Sequence, residues 1–101
     1  MKLLHIAPST RHDKKLMAVF DIDGSKKTTH FGSAGYDDYT TYCAKIGKVG
    51  ANEHKRLYIL RHRRREDWTD PTAAGTLALF ILWSLPTVNA SIARYKRTFK
   101  L

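Results

Sequence analysis

The longest apolar run in the chain, Leu77-Ala78-Leu79-Phe80-Ile81-Leu82-Trp83-Ser84-Leu85, fixes the centre of whatever the rest folds into. A helix made from it is apolar nearly all round, so it has no solvent face and needs other elements to enclose it. A bilayer-spanning helix requires about 20 such residues; this run is shorter and stops at Pro86, so membrane insertion is not expected. Asp70-Pro71 ahead of Thr72-Ala73-Ala74 is a helix start, with Asp as cap and Pro at the first helical position. The helix is predicted to run from there to about Trp83. Pro86 breaks the chain and Thr87 caps a third helix, in which Val88, Ile92, Tyr95 and Phe99 recur at i, i+4, i+7 and i+11. That spacing makes one apolar stripe.

The N-terminal third reads as β. Met1 to Ala7 starts like a secretory leader, but His5 interrupts the apolar stretch and Pro8 ends it. A leader needs roughly 7–15 apolar residues, so a short first strand is expected instead. From Lys15 to Ile22, period two places Leu16, Ala18, Phe20 and Ile22 on one face. Asp23-Gly24 is a tight-turn dipeptide and Lys27 to Phe31 a returning strand. Signals fade from Tyr36 to Ala51. Tyr36, Tyr39 and Tyr42 stand three apart, as on one face of a helical turn, whereas Asp37, Asp38 and Thr40 favour a cap or turn. Gly47 and Gly50 argue for a loop. Asn52 is then the expected cap of a first helix ending near Arg65. The 101 residues give one α+β domain, a small antiparallel sheet (N-terminal strand plus hairpin) followed by three helices. Its parts are a β-hairpin region over 1–35, a connector over 36–51 and a three-helix region over 52–101.

Little in the chain suggests catalysis. The single cysteine, Cys43, forms no intrachain disulfide and no cysteine-rich metal site. The five histidines include no pair at i, i+4 and no accompanying ligand set, so no metal and no other cofactor is expected. The glycines match neither a phosphate loop nor a dinucleotide fingerprint. No catalytic residue is assigned, and a non-enzymatic role is expected. A Cys43 nucleophile is the weakest alternative, because no local signature surrounds it.

Charge is the informative feature. The formal net charge is +9, which favours acidic partners. Residues 53–67 hold Lys55, Arg56, Arg61, Arg63, Arg64 and Arg65 against Glu53, Glu66 and Asp67, and the tail adds Arg94, Lys96, Arg97 and Lys100. At 100° per residue the first set lies all round its helix, whereas a groove-reading helix segregates its cations on one face. Internal pairing with Glu66, Asp67 and Asp70 is therefore the leading reading, followed by protein-partner contact and then nucleic acid. The cluster Arg61-His62-Arg63-Arg64-Arg65 also fits a nuclear-localisation pattern.

The motifs Lys14-Lys15, Phe20, His30-Phe31-Gly32 and Gly35-Tyr36-Asp37-Asp38-Tyr39-Thr40 lead into Arg56, Tyr58, Arg61-His62 and Arg65-Glu66-Asp67-Trp68-Thr69-Asp70-Pro71-Thr72-Ala73 with Gly75. Ile81-Leu82-Trp83, Pro86-Thr87, Ala90-Ser91-Ile92, Tyr95-Lys96, Phe99 and Leu101 follow. The set resembles a family of small basic proteins of nucleocytoplasmic large DNA viruses of the algal-virus and mimivirus type. The resemblance covers the chain from about Asp13, and departs from the family pattern in a longer Thr41–Ala51 stretch. It implies a minor capsid protein of the virion, cementing larger capsid subunits from the inner side of the shell. Its partners would be the major capsid protein and other minor capsid proteins, with host-intracellular residence during assembly. It also implies that Arg61, Arg65, Glu66, Asp67, Trp68, Asp70 and Pro71 form a fold-defining motif. The acidic-partner contacts expected are then Lys55, Arg56, Arg63, Arg94, Lys96, Arg97 and Lys100, with the first strand free to join a partner's sheet. The alternative is a basic nucleic-acid-binding protein of genome packaging.

Overall fold

Alternating apolar residues place three strands at the N-terminus. The computed structural model describes residues 1–101, in which β1 (Lys2–Pro8), β2 (Lys14–Ile22) and β3 (Ser25–Ser33) form an antiparallel sheet in that order. Asp23 and Gly24 turn the β2–β3 hairpin with φ of 52° and 85°. Positive φ at both positions belongs to the type I′ turn, whose twist matches that of the strands. Ala18 and Phe20 on β2 are fully buried, with Leu3 of β1 opposite Phe20 and Phe31 of β3 opposite Leu16. Register slips between Leu3 and His5, so Leu4 is bulged and exposed.

The expected connector over 36–51 is instead largely helical, because Asp38 starts a helix that Gly47 kinks without ending and Gly50 does not interrupt. Helix α1 (Tyr39–His62) opens on a capping box: Asp38 Oδ1 accepts the Thr41 N–H at 3.1 Å, and Thr41 Oγ1 accepts the Asp38 N–H at 2.9 Å. Asn52, expected as a cap, lies inside α1, where its Oδ1 accepts the Tyr39 hydroxyl at 2.7 Å. The helix ends at His62 rather than near Arg65, where the Arg65 N–H turns back three residues to the His62 carbonyl at 3.0 Å.

The next helix starts later than Asp70-Pro71. Asp70 closes a turn by accepting the Thr72 N–H at 2.9 Å, and α2 (Ala74–Leu77) follows. It runs into a π-helical turn over Ala78–Leu82, closed by the Trp83 N–H to the Ala78 carbonyl at 3.1 Å. Helix α3 (Val88–Phe99) begins where expected, with Thr87 Oγ1 accepting the Ala90 N–H at 3.2 Å. The apolar run does form the centre. Leu77, Ile81, Leu82 and Trp83 pack in one cluster with Ala18, Phe20 and Phe31 of the sheet, Tyr39 and Ala51 of α1, and Tyr95 of α3. Each large side chain enclosed there contributes about 1.5–3 kcal/mol by leaving water. No helix is long and apolar enough to cross a membrane.

Candidate functional site

Gly47 has φ 81° and ψ 170° inside α1, a region essentially open only to glycine. The helix therefore breaks there, and its two arms meet. In an unbroken helix Tyr42 and His54 would stand about 18 Å apart along the axis, at the usual rise per residue. Their rings instead stack with centroids 3.9 Å apart and planes 7° apart. The π-turn brings Trp83 to the same place, stacked on Tyr58 at 4.3 Å and tilted against Tyr42 at 6.3 Å. His62 stacks on the other side of Tyr58 at 4.2 Å. A column of five rings results, His54–Tyr42–Trp83–Tyr58–His62, along a groove of about 540 Å³.

The other side of the groove comes from the sheet. Gly32 has φ 78°, and a Cβ there would lie 2.5 Å from Leu82 Cδ1, so only glycine lets the strand approach the central helix this closely. Lys15 reaches the helix cap, its Nζ 2.7 Å from Oδ2 of the buried Asp38. Burial, with the Glu66 charge adding to it, pushes the Tyr58 hydroxyl up to about 12. Hydrogen bonds from Lys45 and Thr41 hold the Asp37 carboxyl below its ordinary value. Arg61 lines the groove and makes no ion pair. Ring faces, imidazole edges and a free guanidinium suit binding of a planar or anionic group. Cys43 is half-buried without a histidine hydrogen-bond partner, and no three His, Cys, Asp or Glu side chains converge.

The basic residues are less internally satisfied than their sequence context suggests. Of eighteen lysines and arginines, only Arg11, Lys15, Lys45 and Arg56 pair with a carboxylate. Arg61, Arg63, Arg64 and Arg65 are exposed and unpaired, which corrects the internal-pairing reading. The acids expected to hold them are committed elsewhere. Asp67 Oδ1 accepts the Thr69 N–H at 3.0 Å, Asp70 binds Thr72, and Glu66 packs on Gly75. Within the same motif the Trp68 Nε1–H is buried without an acceptor, and the Pro71 carbonyl accepts the Tyr95 hydroxyl at 2.5 Å. Among the expected contacts, Arg63, Arg94, Lys96, Arg97 and Lys100 are exposed, and Arg56 is exposed but paired with Glu53 at 2.6 Å. Lys55 is not outward: it is half-buried, its Nζ 3.0 Å from the Ser84 carbonyl and 5.0 Å from the Tyr39 ring centroid.

The ring column itself escaped sequence reasoning. His54, Tyr58 and His62 do recur at i, i+4 and i+8, a ridge on one helix face. Tyr42 and Trp83 join it only through the Gly47 break and the π-turn.

Together these features define a small basic α+β domain with an aromatic groove. Residues 4–42, the sheet and the capped start of α1, match a family of unknown function (DUF5754). No curated protein and no solved structure matches the chain.

Proposed function

We propose that this chain is a non-enzymatic virion structural protein, a minor capsid protein that grips acidic faces of larger capsid subunits on the inner side of the shell. The observation that carries the grip is the uncompensated positive charge: fourteen of eighteen lysines and arginines lack a carboxylate partner. The virion setting rests on the resemblance of the Arg61–Asp70 motif and its flanks to the large-DNA-virus family. Sheet geometry supplies a second means of attachment, because β1 is an edge strand whose outer backbone groups have no partner strand. Many weak contacts repeated by symmetry hold such a lattice by avidity rather than by single-site affinity. Cross-linking purified particles through lysine amines tests this: Lys96 and Lys100 should link to capsid subunits. Particles that lack the chain overturn it.

One observation favours a nucleic-acid reading. The ring column with Arg61 beside it combines stacking faces and a cation, as single-strand binders do. Binding to a single-stranded oligonucleotide should then weaken steeply with salt, at a slope of about −0.7 per phosphate neutralised. A flat response at moderate salt removes this second reading.

A further inference from the structure

Away from the ring column, Lys55 of α1 and Arg94 of α3 approach the same serine. Lys55 Nζ donates to the Ser84 carbonyl at 3.0 Å, and Arg94 Nη1 donates to the Ser84 hydroxyl at 3.3 Å. Between them lies a recess of about 180 Å³, otherwise lined by Leu79, Phe80 and Trp83. No carboxylate lines it, and neither cation makes an ion pair. Two like charges facing one half-buried space repel each other, and the desolvated one suffers most. Lys55 is accordingly held below the ordinary lysine value, by burial first and by the Arg94 charge second. An anion placed between them offsets the repulsion and favours the charged form of Lys55.

Donors remain free to meet one. The ammonium and the guanidinium each keep N–H groups beyond those used on Ser84. The Ser84 hydroxyl accepts from Arg94 and donates to nothing in the recess, so its own hydrogen is available. We infer that this recess is a socket for a carboxylate side chain, Asp or Glu, of a partner protein. Its apolar floor suits the methylene stem of such a side chain, and its polar mouth offers a guanidinium for paired hydrogen bonds to the carboxylate oxygens. A phosphodiester is flanked by sugars on both sides and follows extended basic grooves, which a recess of this size does not provide. The inference rests on the proposed grip on acidic neighbours and names the contact that makes it specific.

Calorimetric titration of the full chain with a hexaglutamate peptide, beside an oligothymidylate of equal charge, tests the socket. Arg94→Gln should weaken peptide binding about tenfold, the loss of a charge-assisted hydrogen-bonded pair. Lys48→Gln removes the same charge at an exposed, unpaired site outside the recess and should weaken it less than about twofold by screened charge alone. Ser84→Ala leaves the Lys55 bond to the backbone intact and should weaken binding about threefold, which keeps the test open should Arg94→Gln not fold. Equal losses from Arg94→Gln and Lys48→Gln overturn the socket while leaving the acidic-partner reading in place. Absence of any peptide binding overturns both. Oligothymidylate binding that depends on Arg94, where peptide binding does not, shows the occupant to be phosphate and overturns the carboxylate assignment.

Discussion

Tyr95 is fully buried, and its hydroxyl ends on the Pro71 carbonyl. Its place on the inner stripe of α3 follows directly from the Val88-Ile92-Tyr95-Phe99 spacing. The partner does not, because Pro71 lies 24 positions earlier in the chain and only the folded packing brings it near. Tyr95→Phe keeps the ring and strands the carbonyl, so urea denaturation should show a loss of about 1–2 kcal/mol. Burial raises the hydroxyls of both Tyr95 and Tyr58, the latter to about 12 from the ordinary 10.0. In that window the native state holds protons that the unfolded chain has released. The stabilisation is thus complete below about pH 10 and is lost as pH climbs toward 12. Phenolate absorbance should show Tyr58 and Tyr95 ionising only together with unfolding. Ionisation of these two at the ordinary midpoint in the folded protein would contradict the burial account.

Among the elements, the strands, the hairpin turn and α3 are legible from period, Asp23-Gly24 and Thr87. Helix α1 is legible only in part. Its second arm shows the basic helical pattern, but Gly47 and Gly50 make the first arm look like loop. What decides the matter is the Asp38–Thr41 capping box, a local signal outweighed in the sequence by two breakers close together. Gly47 breaks the helix and Gly50 does not, a distinction of backbone angle that residue type cannot carry. Gly47→Ala meets no atom within 4 Å, so its whole effect falls on the backbone. A loss of about 1–3 kcal/mol is expected, accompanied by disappearance of ring-to-ring nuclear Overhauser contacts between Tyr42 and His54. Retention of both stability and contacts would show that the break does not depend on this glycine.

For the whole molecule, the net charge of +9 is legible at once, but its distribution between ion pairs and free surface is not. The carboxylates nearest in sequence to the arginines cap turns at Thr69 and Thr72 instead. A chain of 43 × 26 × 24 Å carrying that excess repels itself. Screening should relieve this, so the melting temperature should rise between low and physiological salt, where the Debye length falls to about 8 Å. Replacing Arg63, Arg64 and Arg65 together by Gln breaks no ion pair. It should leave thermal stability unchanged or raised while shrinking its salt dependence, as scanning calorimetry would show. A drop in melting temperature on that replacement would mean that the cluster is engaged within the fold.

The π-turn over Ala78–Leu82 accommodates one residue more than an α-helical turn of the same span. Loss of one residue from it would let the turn relax to regular winding with the downstream phase nearly kept, because the turn spends one residue more than an α-helix on the same arc. Trp83 would then stay near the ring column, and Ser84 near Lys55 and Arg94. An added residue meets no such slack and would rotate both by about 100°. Single-residue insertions in this blandest stretch of the chain should therefore be more damaging to the groove and the recess than single deletions or most apolar substitutions.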